Sequence, residues 1–306
     1  MYGELRYDPE YLTAISAHVF SGQPRPSFEN VFAVREFTEH ILHAVLRLEP
    51  TPAHIIETKV PFKSHDGTTV NLHRFANTET IEASMPQPSV IYVHGGGMAA
   101  NMGMPFFVVD YRLAPEHPGP GSIEDVFFGL KHLSEHAAVD PARIAIMGDS
   151  GGGGLGAGAA LMARDRELRP ALAKQVLVYP MLDDRAQLPP GSPLEKLLMR
   201  ESKDIRLAWS AVLGEDRAGR EGADVSEYMA PGRAEDLSGL PSTSVEVGGL
   251  DLFRDETIAY VSRLTAAHVE TEFHLWPGLP HGFDGVAQLS WTKKAFEARA
   301  RALRSF

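Results

Sequence analysis

Two periodicities divide the chain. Residues 9–48 read as helical, and in SFENVFAVREFTEHILHAVL the apolar residues Phe28, Val31, Phe32, Phe37, Ile41, Leu42, Val45 and Leu46 recur on one stripe. Such a stripe lays a helix on an apolar surface. Because it precedes the first strand, it predicts a helical cap segment over residues 1–50. The period then drops to two. Residues 54–62 and 68–75 read as strands, and Asp66-Gly67 between them signals a hairpin. Short apolar runs follow at 89–93, 106–110, 143–147, 175–179, 243–248 and 270–276. They alternate with helical stretches near 122–138, 152–165, 199–213, 254–267 and 286–304. Ser122, followed by Glu124 and Asp125, reads as a helix start. A hairpin and then strand–helix alternation predicts an α/β fold: a mostly parallel sheet of eight strands with helices on both faces. Residues 181–240, rich in Pro, Gly and charge, interrupt the rhythm and read as a second part of the cap. The division expected is therefore a cap segment at 1–50 and a main domain at 51–306 carrying an insertion at 181–240.

Composition narrows the chemistry. The 306 residues are 43% apolar, enough for one large core. A net charge of -11, with no Lys/Arg run longer than two, argues against nucleic acid and anionic membrane surfaces as partners. There is no cysteine, which excludes thiol chemistry, disulfides and cysteine-held zinc. The N-terminus has neither the basic nor the apolar part of a signal peptide, and no apolar run is long enough to span a bilayer. A cytoplasmic protein is the expectation.

Four signals carry chemistry, each at or just past the C-terminal end of a predicted strand. Gly148-Asp149-Ser150-Gly151-Gly152 matches G-x-S-x-G between a strand and a helix, the context in which a serine becomes a nucleophile. The tight turn lifts Oγ clear of the backbone, and free N–H groups at the helix start favour a developing oxyanion. A plain glycine turn is one alternative. Another is dinucleotide binding by Gly151, Gly153 and Gly156, but the first acid past the next strand, Asp183, comes too late for a ribose. His94-Gly95-Gly96-Gly97 is the second signal, a loop of backbone N–H groups open to a substrate oxygen, with the Gly151 N–H as the complementary donor. Asp251 and His281 are the third and fourth, giving the chain order Ser, Asp, His. Asp183, Asp184 and Asp255 compete for the role of acid. Asp251 is preferred because Gly248-Gly249 allows a sharp exit from the strand.

These motifs, with Asp110-Tyr111-Arg112-Leu113-Ala114-Pro115-Glu116-His117-Pro118 and Asp251 through Glu256, resemble the hormone-sensitive-lipase family of α/β-hydrolases over about residues 89–285. The resemblance implies an α/β-hydrolase fold with a helical cap and carboxylesterase activity on short acyl esters. It implies an oxyanion hole from Gly96, Gly97 and Gly151. Neither cofactor nor metal is implied, and the partner is a small-molecule ester. Dimerisation is common in the family, so a homodimer is carried as an expectation. A non-catalytic binding protein on the same fold is the alternative in a different class, and an amidase, lactonase or deacetylase would use the same triad. The presence of Ser150, Asp251 and His281 together favours the enzyme. Two departures stand out. Gly151 replaces the usual alanine, and residues 98–105 are too few for the helix that normally crosses between two parallel strands there.

Overall fold

The computed structural model describes residues 4–16, 28–46, 52–94, 104–199 and 201–306, with the side chains of 41–46 left aside. The N-terminal helices are α1 (Pro9–Ser16) and α2 (Val31–Leu46). The hairpin β1 (Ile55–Lys63) and β2 (Thr69–Asn77) comes next, then the single turn α3 (Thr78–Ile81). After it the chain alternates: β3 (Gln87–Val93), β4 (Phe106–Val109), α4 (Gly121–Ser134), β5 (Val139–Asp149), α5 (Ser150–Asp165) and β6 (Lys174–Val178). The remainder is α6 (Ser202–Leu213), β7 (Ser242–Gly248), α7 (Arg254–Ala266), β8 (Thr271–Trp276) and α8 (Ser290–Leu303). The eight strands form one sheet in the order β1-β2-β4-β3-β5-β6-β7-β8. It is parallel except where β2 meets β1 and β4. The expected architecture is thus the observed one.

Alternation along each strand builds two cores, because successive side chains leave a strand on opposite faces. Leu72, Ile91, Val93, Phe107, Ile146 and Leu177 pack with α4 and α5. Their neighbours Val90, Tyr92, Phe106, Met147, Val176 and Val178 join Ala302 and Leu303 of α8 on the other face. Strands buried on both sides need runs of apolar residues, which is why β3, β5 and β6 stand out in the sequence, whereas the edge strand β8 is only partly buried.

Several local readings are adjusted. α4 begins at Gly121 after Pro120, with no side-chain cap. Ser122 and Asp125 instead face inward; Asp125 is buried and binds Arg112 through Nε and Nη2, each at 2.8 Å. The long N-terminal helical region is described as two helices, with 17–27 outside the described residues. α2 packs against α6 through a narrow face, so Phe32, though within the stripe, is 54% exposed with the Arg35 guanidinium over its ring at 5.8 Å. Arg35 also pairs with Glu116 at 2.6 Å. β3 and β4 are parallel neighbours, Val90 beside Phe106 and Tyr92 beside Val108. Of the short segment that joins them, Met104 and Pro105 alone of residues 98–105 are described.

Candidate active site

Ser150 is the first residue of α5 and has a φ of 55°. A non-glycine residue in the left-handed region carries about 1–3 kcal/mol of strain, tolerated where the surroundings enforce it. Here they do. A Cβ on Gly148 would lie 2.2 Å from the Gly152 carbonyl oxygen, and one on Gly152 would lie 2.1 Å from that of Val93. The missing side chains let strand, turn and helix close on one another and present the serine at the strand's C-terminal end.

Gly151 differs. Among the described residues a Cβ there meets nothing within 4 Å. Gly151→Ala is therefore expected to stabilise the protein by about 0.5–1 kcal/mol, the usual helix cost of glycine against alanine. A higher urea midpoint at unchanged slope would show it; a lower midpoint would mean that the methyl group is not accommodated.

The acid and the histidine come from adjacent strand ends. β7 stops at Gly248, where a Cβ would lie 2.3 Å from the Leu279 carbonyl oxygen. The Gly249 N–H then donates to Trp276 at 2.7 Å and the Leu250 N–H to Leu279 at 2.9 Å. These bonds lace the Asp251 loop to the His281 loop. Asp251 is fully buried, and its Oδ1 accepts the Phe253 N–H at 2.9 Å. Its Oδ2 is 2.8 Å from His281 Nδ1, and His281 Nε2 is 3.0 Å from Ser150 Oγ. With Nδ1–H donated to the carboxylate, Nε2 is the free acceptor facing the hydroxyl. Two rings contact the imidazole, Tyr179 at 4.5 Å and Phe253 at 5.2 Å between centroids.

The family profile described as the alpha/beta hydrolase fold matches residues 95–285. This chain belongs to the α/β-hydrolase family, in its hormone-sensitive-lipase-like branch. The hydrolase is 36% identical over 242 residues to carboxylesterase NlhH of Mycobacterium tuberculosis, an alignment covering 71% of this chain and 72% of that one. Esterase LipI of the same organism is 36% identical over 234 residues, covering 71% of each chain. Among solved structures, a bacterial heroin esterase superposes with a TM-score of 0.83 at 32% identity, covering 97% of both chains.

The other candidate acids of this hydrolase are engaged elsewhere. Asp183 pairs with Arg185 at 2.8 Å. Asp184 is buried between Arg233 Nε at 2.6 Å and the Gly219 N–H at 2.8 Å. Asp255 is largely exposed and pairs with Arg254 at 2.7 Å. Gly96 and Gly97, the expected oxyanion donors, lie outside the described residues. His94, just before them, is described: its ring stacks on Tyr111 at 4.8 Å, and its carbonyl accepts the Tyr111 hydroxyl at 2.6 Å. Burial pushes His94 below the ordinary histidine value, which favours the neutral ring.

Sequence reasoning missed several groups around the site. In the sequence Tyr111 is one member of a motif, and Phe253 and Tyr179 carry no signal that sets them apart from their neighbours. Glu256 is another. Its Oε1 accepts the N–H groups of Leu182 and Asp183 at 2.6 and 3.3 Å, where residues 181–240 begin. Burial pushes Glu256 well above the usual carboxyl range, against the pull of those two donors. Among the described residues no group of three or more His, Cys, Asp or Glu could hold a metal, and no helix is long and apolar enough to cross a membrane.

Proposed function

We propose that this carboxylic ester hydrolase works as a serine esterase on short-chain acyl esters, with Ser150 as nucleophile, His281 as general base and acid, and Asp251 as the carboxylate that orients it. The observation that supports this most is the unbroken chain of hydrogen bonds Ser150–His281–Asp251, 3.0 and 2.8 Å long, on an elbow at positive φ. The esterase names of the relatives support the reaction class. The short acyl chain follows from the family resemblance.

In this mechanism His281 Nε2 takes the Ser150 proton as Oγ attacks the ester carbonyl. Asp251 keeps Nδ1 protonated and stabilises the imidazolium that forms. The Gly151 N–H, with those of Gly96 and Gly97, is the proposed donor set for the tetrahedral oxyanion. Each such donor is worth about 2.7–4 kcal/mol in comparable sites. His281 then protonates the departing alcohol, and water attacks the acyl-enzyme with the same histidine as base. α2 and α6, packed on each other, form the proposed cap over the acyl site.

The test is a series of p-nitrophenyl esters from acetate to palmitate, run beside labelling with an aryl phosphonate that traps activated serines. Turnover should be greatest for the shortest chains and should stop when one phosphonate is bound, with the adduct on Ser150 by peptide mass. Inhibition with the adduct on another residue would overturn the assignment, and a preference for palmitate would overturn the substrate class.

A further inference from the structure

Next to the His281 loop lies a set of buried polar groups that the proposed reaction leaves without a task. Arg299, on α8, is 4% exposed. Its Nε donates to Glu246 Oε1 at 2.9 Å, Nη2 donates to the same oxygen, and Nη1 lies 2.8 Å from Asp284 Oδ2. Asp284 belongs to the loop that carries His281, and its other oxygen, Oδ1, accepts the Tyr179 hydroxyl at 2.9 Å. The Tyr179 ring is the one 4.5 Å from the imidazole. Glu246 closes the circuit: its carbonyl accepts the Tyr179 N–H at 2.7 Å and its Oε2 accepts Trp276 Nε1–H at 3.3 Å. One guanidinium thereby connects the ends of β6, β7 and β8 with the histidine loop.

Stability is a poor explanation for this arrangement. Burying ions carries a large desolvation cost that their attraction must first offset, and apolar groups of equal volume often hold a fold as well. Directional bonds supply something apolar packing does not, which is a fixed orientation. The histidine loop needs one. Gly282 is left-handed at a φ of 68°, and the loop's regular structure is a single 3-10 turn at Phe283–Gly285. Tyr179 is itself held at a φ of 34°. Burial, reinforced by Asp284, pushes the Tyr179 hydroxyl well above the usual phenol value, so it remains a donor. Burial alone would lower the Arg299 guanidinium, but Glu246 and Asp284 outweigh it and hold the group charged.

We propose that Arg299, Asp284 and Tyr179 are positioning residues, a buried clamp that holds the His281 imidazole at the angle from which it reaches both Asp251 and Ser150. The proposal rests on the reading of His281 as the base. It adds that the base is aimed from the next α-helix, α8, through two intermediaries.

Tyr179→Phe cuts the clamp with the least damage, since the ring stays beside His281 and Asp284 keeps Arg299. With active sites counted by phosphonate labelling, kcat per labelled site on p-nitrophenyl acetate should fall about tenfold or more while KM stays within about twofold, the pattern of a misaimed catalytic group. Asp284→Asn, close in volume, should act alike, and the double variant should be no slower than the slower single one, because both substitutions break the same chain. A purely structural role would lower the urea midpoint and the fraction labelled without changing kcat per labelled site. Wild-type kcat per site in Tyr179→Phe, or losses that multiply in the double variant, would overturn the clamp. Ester hydrolysis with no label on Ser150 would instead overturn the triad reading, so the two failures are distinct. Should Asp284→Asn not fold, Tyr179→Phe decides alone.

Discussion

Ser150→Ala is expected to lower kcat for short esters about a millionfold, the scale on which serine hydrolases lose activity when the nucleophile is removed. The environment of Oγ explains the size. It is the one atom of the elbow that the strained backbone, the α5 N-terminus and His281 Nε2 at 3.0 Å all address. His281→Ala should cost a similar factor, and the double variant should be no worse than either single one, because proton removal and attack are one event. Folding should persist in Ser150→Ala, since Ser150 is only half-buried and not part of a core. Progress curves at high enzyme concentration, on protein shown folded by its urea midpoint, measure the residue of activity. A rate within a hundredfold of wild type would place the nucleophile elsewhere.

Asp251→Asn is expected to cost about ten-thousandfold in kcat, as in other triads where the amide leaves the imidazole in the wrong tautomer. An asparagine side chain can offer its N–H to Nδ1, which turns Nε2 into a donor and deprives Ser150 of its base. The comparison with the rival acids sharpens the result. Asp255→Asn should change kcat by less than about threefold, because its carboxylate is largely exposed and an exposed ion pair contributes little. Asp184→Asn should reduce stability more than turnover, since it frees a buried Arg233 from its partner. If Asp183→Asn or Asp184→Asn lost activity at full stability while Asp251→Asn kept it, the acid would belong to the strand before.

The sheet was legible because its central strands are buried on both faces. Runs such as 89–93 and 143–147 would each expose four apolar side chains anywhere else. The residues that meet at the site were legible because each lies a few residues past the end of a strand, and glycines mark the places where backbones touch. The surrounding shell was less so. Arg299 reads as one charge among many in KKAFEARARALRS, a stretch that looks solvated. Its register says otherwise: Thr292, Ala295, Arg299 and Ala302 lie on the one buried face of α8, and a charge among small residues at helical spacing was the available signal. Tyr179 escaped because a tyrosine ending an apolar run is ordinary strand composition, and its hydroxyl finds a partner 105 positions away. Phe32 was misplaced for the opposite reason. A helix packed through a narrow face leaves the edge of its apolar stripe in water.

The order in which strands join the sheet has a consequence for the protein's own synthesis. β6, β7 and β8 add to one side of β5 in the order in which they are made. A nascent chain therefore presents its serine elbow well before the aspartate and histidine exist. At about 5–20 residues per second the interval from residue 150 to residue 281 is on the order of ten seconds. Throughout that time the proposed base, His281, is absent. In the proposed mechanism, competence arrives as a single late event, when the edge strand docks and α8 brings Arg299 against the histidine loop. On that mechanism an unfinished chain should be silent toward esters, and the appearance of hydrolysis should report that the strands carrying Ser150, Asp251 and His281 have joined one sheet.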